Sequence, residues 1–169
     1  MKVIETQRLI LRHLDSEDAD FIFRLVNEPS WLRFIGDRGV KTIDDARGYI
    51  ANGPVDSYAR HGFGLYMTEL KDSATPIGIC GLIKRDTLKD VDVGFAFLPE
   101  FWGNGYAYES AAAALEYAKT VVGLKRIIAI TSPDNVGSIR VLEKLGLHLE
   151  QTIKMPDHAG ETKLFAIDV

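Results

Sequence analysis

One stretch, residues 91–107 (VDVGFAFLPEFWGNGYA), constrains the fold of this chain more than any other. It begins as an apolar run of β-branched and aromatic residues, the pattern of a strand, in which Gly94 and Ala96 keep one face narrow enough for a ligand to lie against it. Pro99 ends the run, because proline has no N–H to give to a ladder. Past Trp102 the backbone of Gly103, Asn104, Gly105, Tyr106, Ala107 and Tyr108 leads into an alanine-rich helix. The first N–H groups of a helix have no intrahelical partners and stand at the positive end of its dipole, so this turn is a candidate cradle for a phosphate or pyrophosphate.

Residue types narrow the choice of cradle. A P-loop would close on Gly-Lys-Ser/Thr to reach terminal phosphates and magnesium, whereas Gly105 is followed by Tyr106 and Ala107. A dinucleotide fingerprint would place a third glycine where Tyr108 stands, and near the start of the chain. The run resembles instead the coenzyme A pyrophosphate loop of the GCN5-related N-acetyltransferases (GNAT), Gln/Arg-x-x-Gly-x-Gly/Ala. Gly105 and Ala107 fill the last two fixed places, and Trp102 stands where Gln or Arg is usual. The substitution is compatible with the resemblance because such a loop binds through backbone amides.

Composition agrees with a chain of this kind and excludes others. The 169 residues are 46% hydrophobic and 26% charged, the balance of a globular protein with a real core, read here as one domain over 1–169. No apolar run reaches membrane-spanning length, and charges within the first residues leave no signal-peptide core, so a cytoplasmic protein without membrane attachment is expected. The single cysteine, Cys80, rules out an internal disulfide and reads as core packing. Four histidines lack metal-ligand spacing, so no metal site is expected. A net charge of −4 without basic clusters argues against nucleic acid as a partner.

Patterning along the chain predicts a strand at 6–12, a helix capped by Asp15 or Ser16, and a short helical turn around Trp31 and Phe34. A further helix opens at Thr42-x-x-Asp45 and ends near Asn52-Gly-Pro54. Strands at 63–70, 76–83 and 91–98 read as an antiparallel meander. A helix over about 104–122 and a strand at 126–131 follow, and Ser132-Pro-Asp-Asn135 starts a helix that ends at Gly146. Two closing strands, about 147–153 and 162–169, flank a turn at 156–160.

This order is the one the GNAT resemblance implies, from Thr6 to the C-terminus. Three further motifs carry it: Thr6-x-Arg-Leu-x-Leu-Arg12, Pro76-Ile-Gly-x-x-Gly-Leu82, and Asn135-x-x-Ser138 leading to Lys144-Leu-Gly146. The last two are common in the branch that includes ribosomal-protein-alanine and spermidine acetyltransferases. The implied fold is α+β: a mixed, mostly antiparallel twisted sheet of about seven strands flanked by helices, splayed between the fourth and fifth strands, with Pro99 marking the splay. The implied activity is transfer of an acetyl group from acetyl-CoA to a primary amine, either a protein N-terminus or a small amine such as a polyamine or aminoglycoside. A non-catalytic acyl-CoA-binding module of the same fold is the alternative. A monomer or a homodimer is compatible with either.

By the same resemblance, the backbone of Phe95, Ala96 and Phe97 pairs with the pantetheine arm and a main-chain N–H there faces the thioester oxygen, while their side chains are core. Asn135 matches an asparagine beside the thiol end of the cofactor, and it equally suits a helix N-cap. Many relatives carry a tyrosine general acid seven residues after that asparagine; here the position is Leu142, which leaves Ser138 or a water to protonate the thiolate. Asp92, on the strand face of Gly94 and Ala96, is the candidate base, against the plainer reading of an aspartate paired with a lysine. Glu69 is a weaker alternative, and His61 could line the acceptor side. Arg140 and Lys144 could meet a 3′-phosphate or simply form a solvated face. No activated nucleophile is in view, so direct attack in a ternary complex is expected.

Overall fold

A computed structural model describes residues 1–156, 158 and 160–169. Its sheet runs in the order β1-β2-β3-β4-β5-β6-β8-β7, with strands Lys2–Glu5, Leu9–Arg12, Leu65–Leu70, Pro76–Ile83, Asp92–Phe97, Arg126–Thr131, His148–Lys154 and Glu161–Asp168 as β1 to β8. Every neighbouring pair is antiparallel except β5 and β6, which run parallel. The sheet has eight strands rather than about seven. The predicted strand at 6–12 begins only at Leu9, because Thr6 and Arg8 form the turn of a hairpin whose first arm is β1; Thr6 N donates to Leu9 O at 2.9 Å.

Helices cover both faces. On one lie α1 (Ala19–Val26), α2 (Pro29–Phe34) and α3 (Ile43–Ile50), whose Ile22, Leu25, Trp31 and Ile50 bury against Met67, Ile79 and Leu98. The capping box of Thr42 and Asp45 starts α3 as predicted. The chain does not stop at Pro54, however. Residues 51–55 continue as a π-helical turn into α4 (Asp56–His61). The wider turn accommodates a proline that a regular helix would lose a bond to and clash with. On the other face, Ala111, Ala114 and Ala118 let α5 (Tyr106–Tyr117) and the π-helical turn after it approach the sheet closely, beside α6 (Val136–Lys144). The predicted turn at 156–160 lies partly outside the described residues.

The glycines of β4 explain its motif. A Cβ on Gly78 would stand 2.4 Å from Ala96 O, and one on Gly81 would stand 2.1 Å from Gly64 O. Backbone cannot yield to such overlaps, so only glycine lets β3, β4 and β5 lie this close.

The sheet divides between β5 and β6. They share a single register pair, Asp92 with Ile128, held by Ile128 N donating to Val91 O at 3.0 Å. Beyond it β5 stays on β4 through Phe97, while β6 stays on β8. The division begins at Val93, several residues before Pro99, so the proline is not its cause; Pro99 opens a 3₁₀ turn, Pro99–Phe101, after β5 has ended.

Candidate active site

The wedge between β5 and β6 opens into a cleft of about 1160 Å³. The site residues expected from the sequence line it, except Glu69 and Asn104; the Asn104 side-chain amide turns back to donate to Phe101 O and Trp102 O, each at 3.2 Å. Strand geometry decides which backbone groups face the wedge. Leu98 N donates to Ile77 O on β4, and Val91 O accepts from β6. Main-chain groups alternate sides along a strand, so those of Phe95 and Phe97 point toward the opening and those of Ala96 into the β4 ladder, opposite Ile79. The expectation for Ala96 is corrected accordingly: its methyl group, with Gly94, lies on the face of α1 to α3, and its backbone is committed. The side chains of Phe95 and Phe97 pack in the core on the α5 face.

The cradle lies at the mouth of the wedge. Gly105 caps α5 at φ 80° without a side-chain hydrogen bond, and Gly103 is at φ 78°; both values favour glycine. The helix begins at Tyr106, so the N–H groups of Tyr106, Ala107 and Tyr108 are its unpaired first donors. Glu109, one turn further on, ties this end to the β1–β2 turn: its carboxylate accepts from Thr6 Oγ1 at 2.5 Å, Arg8 N at 3.0 Å and Arg8 Nε at 2.7 Å. Burial would raise this carboxyl, but the Thr6 and Arg8 hydrogen bonds outweigh it and hold the group below its usual range. The Arg8 guanidinium then stacks on Tyr106, 4.5 Å from the ring centroid. A sequence separation of about a hundred residues hid this latch from local pattern reading.

Asp92 sits where the strands part, almost wholly buried, and its Oδ2 accepts from Arg85 Nε at 2.8 Å. The partner is arginine rather than lysine. Burial pushes the carboxyl above its ordinary value, and Arg85 partly opposes the shift. The hairpin register puts Ile83 opposite Asp92, so Arg85 follows just past the pairing. Glu69 is removed from consideration, because it pairs with Arg12 at 3.1 Å and lies outside the cleft lining. His61 lines the cleft.

Across the wedge, Asn135 Oδ1 accepts from Ser138 N at 3.3 Å and so caps α6, while the residue also lines the cleft. Ser138 is half-buried there. Leu142 is buried core. Arg140 and Lys144 both line the cleft, Lys144 with its ammonium 4.2 Å from the Tyr108 ring centroid. Overhead, α2 is tied to the β6–α6 loop: Ser132 Oγ donates to Phe34 O at 3.0 Å, and Arg33 pairs with Asp134 at 3.3 Å. The far end of the cleft is lined by Tyr49, Asp56 and Arg60 from the helical layer, the last two paired at 3.3 Å. Burial raises the Tyr49 phenol, against opposing charge from Arg38 and Arg85.

The sheet splits after one shared pair beside a helix N-terminus opened by glycines. Residues 8–148 match the family model described as "Acetyltransferase (GNAT) domain". Among curated relatives, the uncharacterized N-acetyltransferase YoaA of Bacillus subtilis (strain 168) is 29% identical over 154 residues, covering 90% of this chain and 86% of its own. Among solved structures, a GNAT-family acetyltransferase from Bacillus anthracis is similar with a TM-score of 0.81 at 25% identity, over 99% of this chain and 98% of its own. RimL, a ribosomal L7/L12 alpha-N-protein acetyltransferase in complex with coenzyme A, shares the fold with a TM-score of 0.84 at 18% identity, over 100% and 98%. The chain belongs to the GNAT acetyltransferase family and is an N-acetyltransferase; enzymes of this family transfer acetyl from acetyl-CoA to an amine.

Proposed function

We propose that this chain acetylates a primary amine, with a protein N-terminal amine favoured over a polyamine or aminoglycoside, by direct attack on acetyl-CoA in a ternary complex. The observation that carries the reading is the division of the sheet: past Asp92 the β5 edge is free of β6 and leads straight to the unpaired N–H groups of α5. An extended, amide-bearing arm ending in a pyrophosphate matches that sequence of groups. The cofactor supplies the acetyl group as an activated thioester.

The residues divide the work as follows. The main-chain groups of Phe95 and the N–H of Phe97 pair with the arm as a neighbouring strand would, and one of these N–H groups donates to the carbonyl oxygen as negative charge grows there. The backbone of Gly103, Gly105, Tyr106, Ala107 and Tyr108 holds the pyrophosphate. Asp92, through the oxygen that Arg85 leaves open, takes a proton from the ammonium of the acceptor, directly or through one water. The neutral amine nitrogen forms its bond to the acetyl carbon and the carbon–sulfur bond breaks; the second proton leaves the nitrogen through water while Ser138 Oγ, beside Asn135, passes its proton to the thiolate and regains one from that water, so the hydroxyl is restored. An α-amine, with a pKa of roughly 7.7–8.0, asks less of an ion-paired aspartate than a lysine or polyamine near 10.4. RimL, of the same fold, is by name an alpha-N-protein acetyltransferase, which supports the same preference.

The test is release of free thiol from acetyl-CoA against peptide N-termini, polyamines and aminoglycosides. Peptide-dependent release is expected to be fastest. Cofactor binding with no amine-dependent release would overturn the catalytic assignment and leave an acyl-CoA-binding module.

A further inference from the structure

Trp102 is a large aromatic residue left 54% exposed at the rim of the cleft, so burial does not account for it. We propose that its indole braces the two halves of the cofactor site, fixing the distance between the β5 edge and the glycine turn; the inference rests on reading the cleft as a coenzyme A site. Trp102 Nε1 donates to Phe97 O at 2.9 Å. That carbonyl is the last group of β5 facing the wedge, so the side chain at the start of the cradle is fastened to the end of the strand.

The rest of the connection closes on the same residue. Phe101 N donates to Leu98 O at 3.0 Å, Trp102 N donates to Pro99 O at 3.1 Å, and the Asn104 amide reaches Trp102 O at 3.2 Å. After this stitched unit come Gly103 and Gly105, both at positive φ, and a Cβ on Gly103 would meet nothing within 4 Å. Gly103 therefore stands clear of packing, and while the Glu109–Arg8 latch holds the α5 end of the turn, the brace holds its β5 end. A consequence for recognition follows: Phe97 O is already engaged, so the arm is left with Phe95 and with Phe97 N–H.

A ligand that spans two subsites gains from their being held at the right separation beforehand, whereas a fragment filling one of them gains nothing. Trp102→Phe keeps a ring and removes the N–H. Calorimetric titration of wild type and variant with coenzyme A and with 3′,5′-ADP separates the two cases. Coenzyme A affinity is expected to fall about 2- to 12-fold, the equivalent of one net hydrogen bond, with 3′,5′-ADP changed less than about twofold. KM for acetyl-CoA should rise in parallel while kcat and the melting temperature hold. Equal losses for both ligands would overturn the inference by showing that the indole touches the nucleotide itself, and no loss for either would show that the bond is idle. A wild type that binds neither ligand would remove the coenzyme A reading and this inference with it.

Discussion

Gly105 allows the cradle to be tested by separating conformation from charge. A Cβ placed there would lie 3.5 Å from Arg8 Nη2, an ordinary contact, so Gly105→Ala changes little except the backbone preference at φ 80°. A left-handed non-glycine residue costs about 1–2 kcal/mol, which for a chain of this length lowers the melting temperature by about 2–8 °C. Gly105→Glu carries the same backbone cost and adds a carboxylate beside the first N–H groups of α5. Two unit charges about 6 Å apart repel by roughly 0.7 kcal/mol in water and roughly 2.8 kcal/mol at an effective dielectric of 20. The turn is exposed, so the lower figure applies, and the two charges of a pyrophosphate give about 1.4 kcal/mol, or about a tenfold loss of affinity beyond that of the alanine variant. Calorimetry with coenzyme A at low salt should show this difference, and 1 M salt, with a screening length of about 3 Å, should nearly erase it. Equal affinities for the Ala and Glu variants at low salt would refute a cradle at this turn.

Other substitutions probe the remaining assignments. Arg85→Gln removes the cation that opposes the burial-raised Asp92 carboxyl; a base works ionised, so the low-pH fall of kcat should begin at higher pH than in wild type, and an unmoved profile would point to a different base. The Thr6 and Arg8 hydrogen bonds hold the Glu109 carboxyl below its ordinary value in the folded chain, so the stability it adds is present above its unfolded value and lost as pH falls through the lowered one. Glu109→Gln should accordingly cost roughly 1–3 kcal/mol at neutral pH by denaturant titration, with the gap to wild type closing in acid. Asn135→Ala should lose about 1 kcal/mol of α6 capping as well as activity; Asn135→Ser restores a cap, and full recovery of turnover with it would make the residue purely structural.

The sequence disclosed those parts of the fold that depend on neighbours in the chain. The alternation in β3 to β5, the capping box at Thr42 and the glycines before α5 are local, and each element stands close to where its pattern put it. What escaped depends on distant partners. The hairpin turn at Thr6 to Arg8 owes its shape to Glu109, and the continuation of α3 through Pro54 requires a widened turn that no propensity scale rewards. Of the candidate site, residues that the fold gathers at one cleft could be named from the sequence, but the direction of their groups could not. Parity along β5 separates Phe95 and Phe97 from Ala96 only once the pairing with β4 and β6 is known. The same holds for Asn104 and Trp102, adjacent in pattern to the cradle yet turned to mend the backbone instead.

The single pair shared by β5 and β6 has a mechanical meaning. Five strands on one side and three on the other form two plates joined at one corner, by Asp92 and Ile128, with α5 and α6 packed side by side behind the seam. An extended molecule lying in that seam would supply further rungs between the two plates. Amide protons along Phe95 and Phe97 should exchange freely with solvent until the seam is filled and slow together when it is, which makes cofactor loading readable as a stiffening of the whole scaffold.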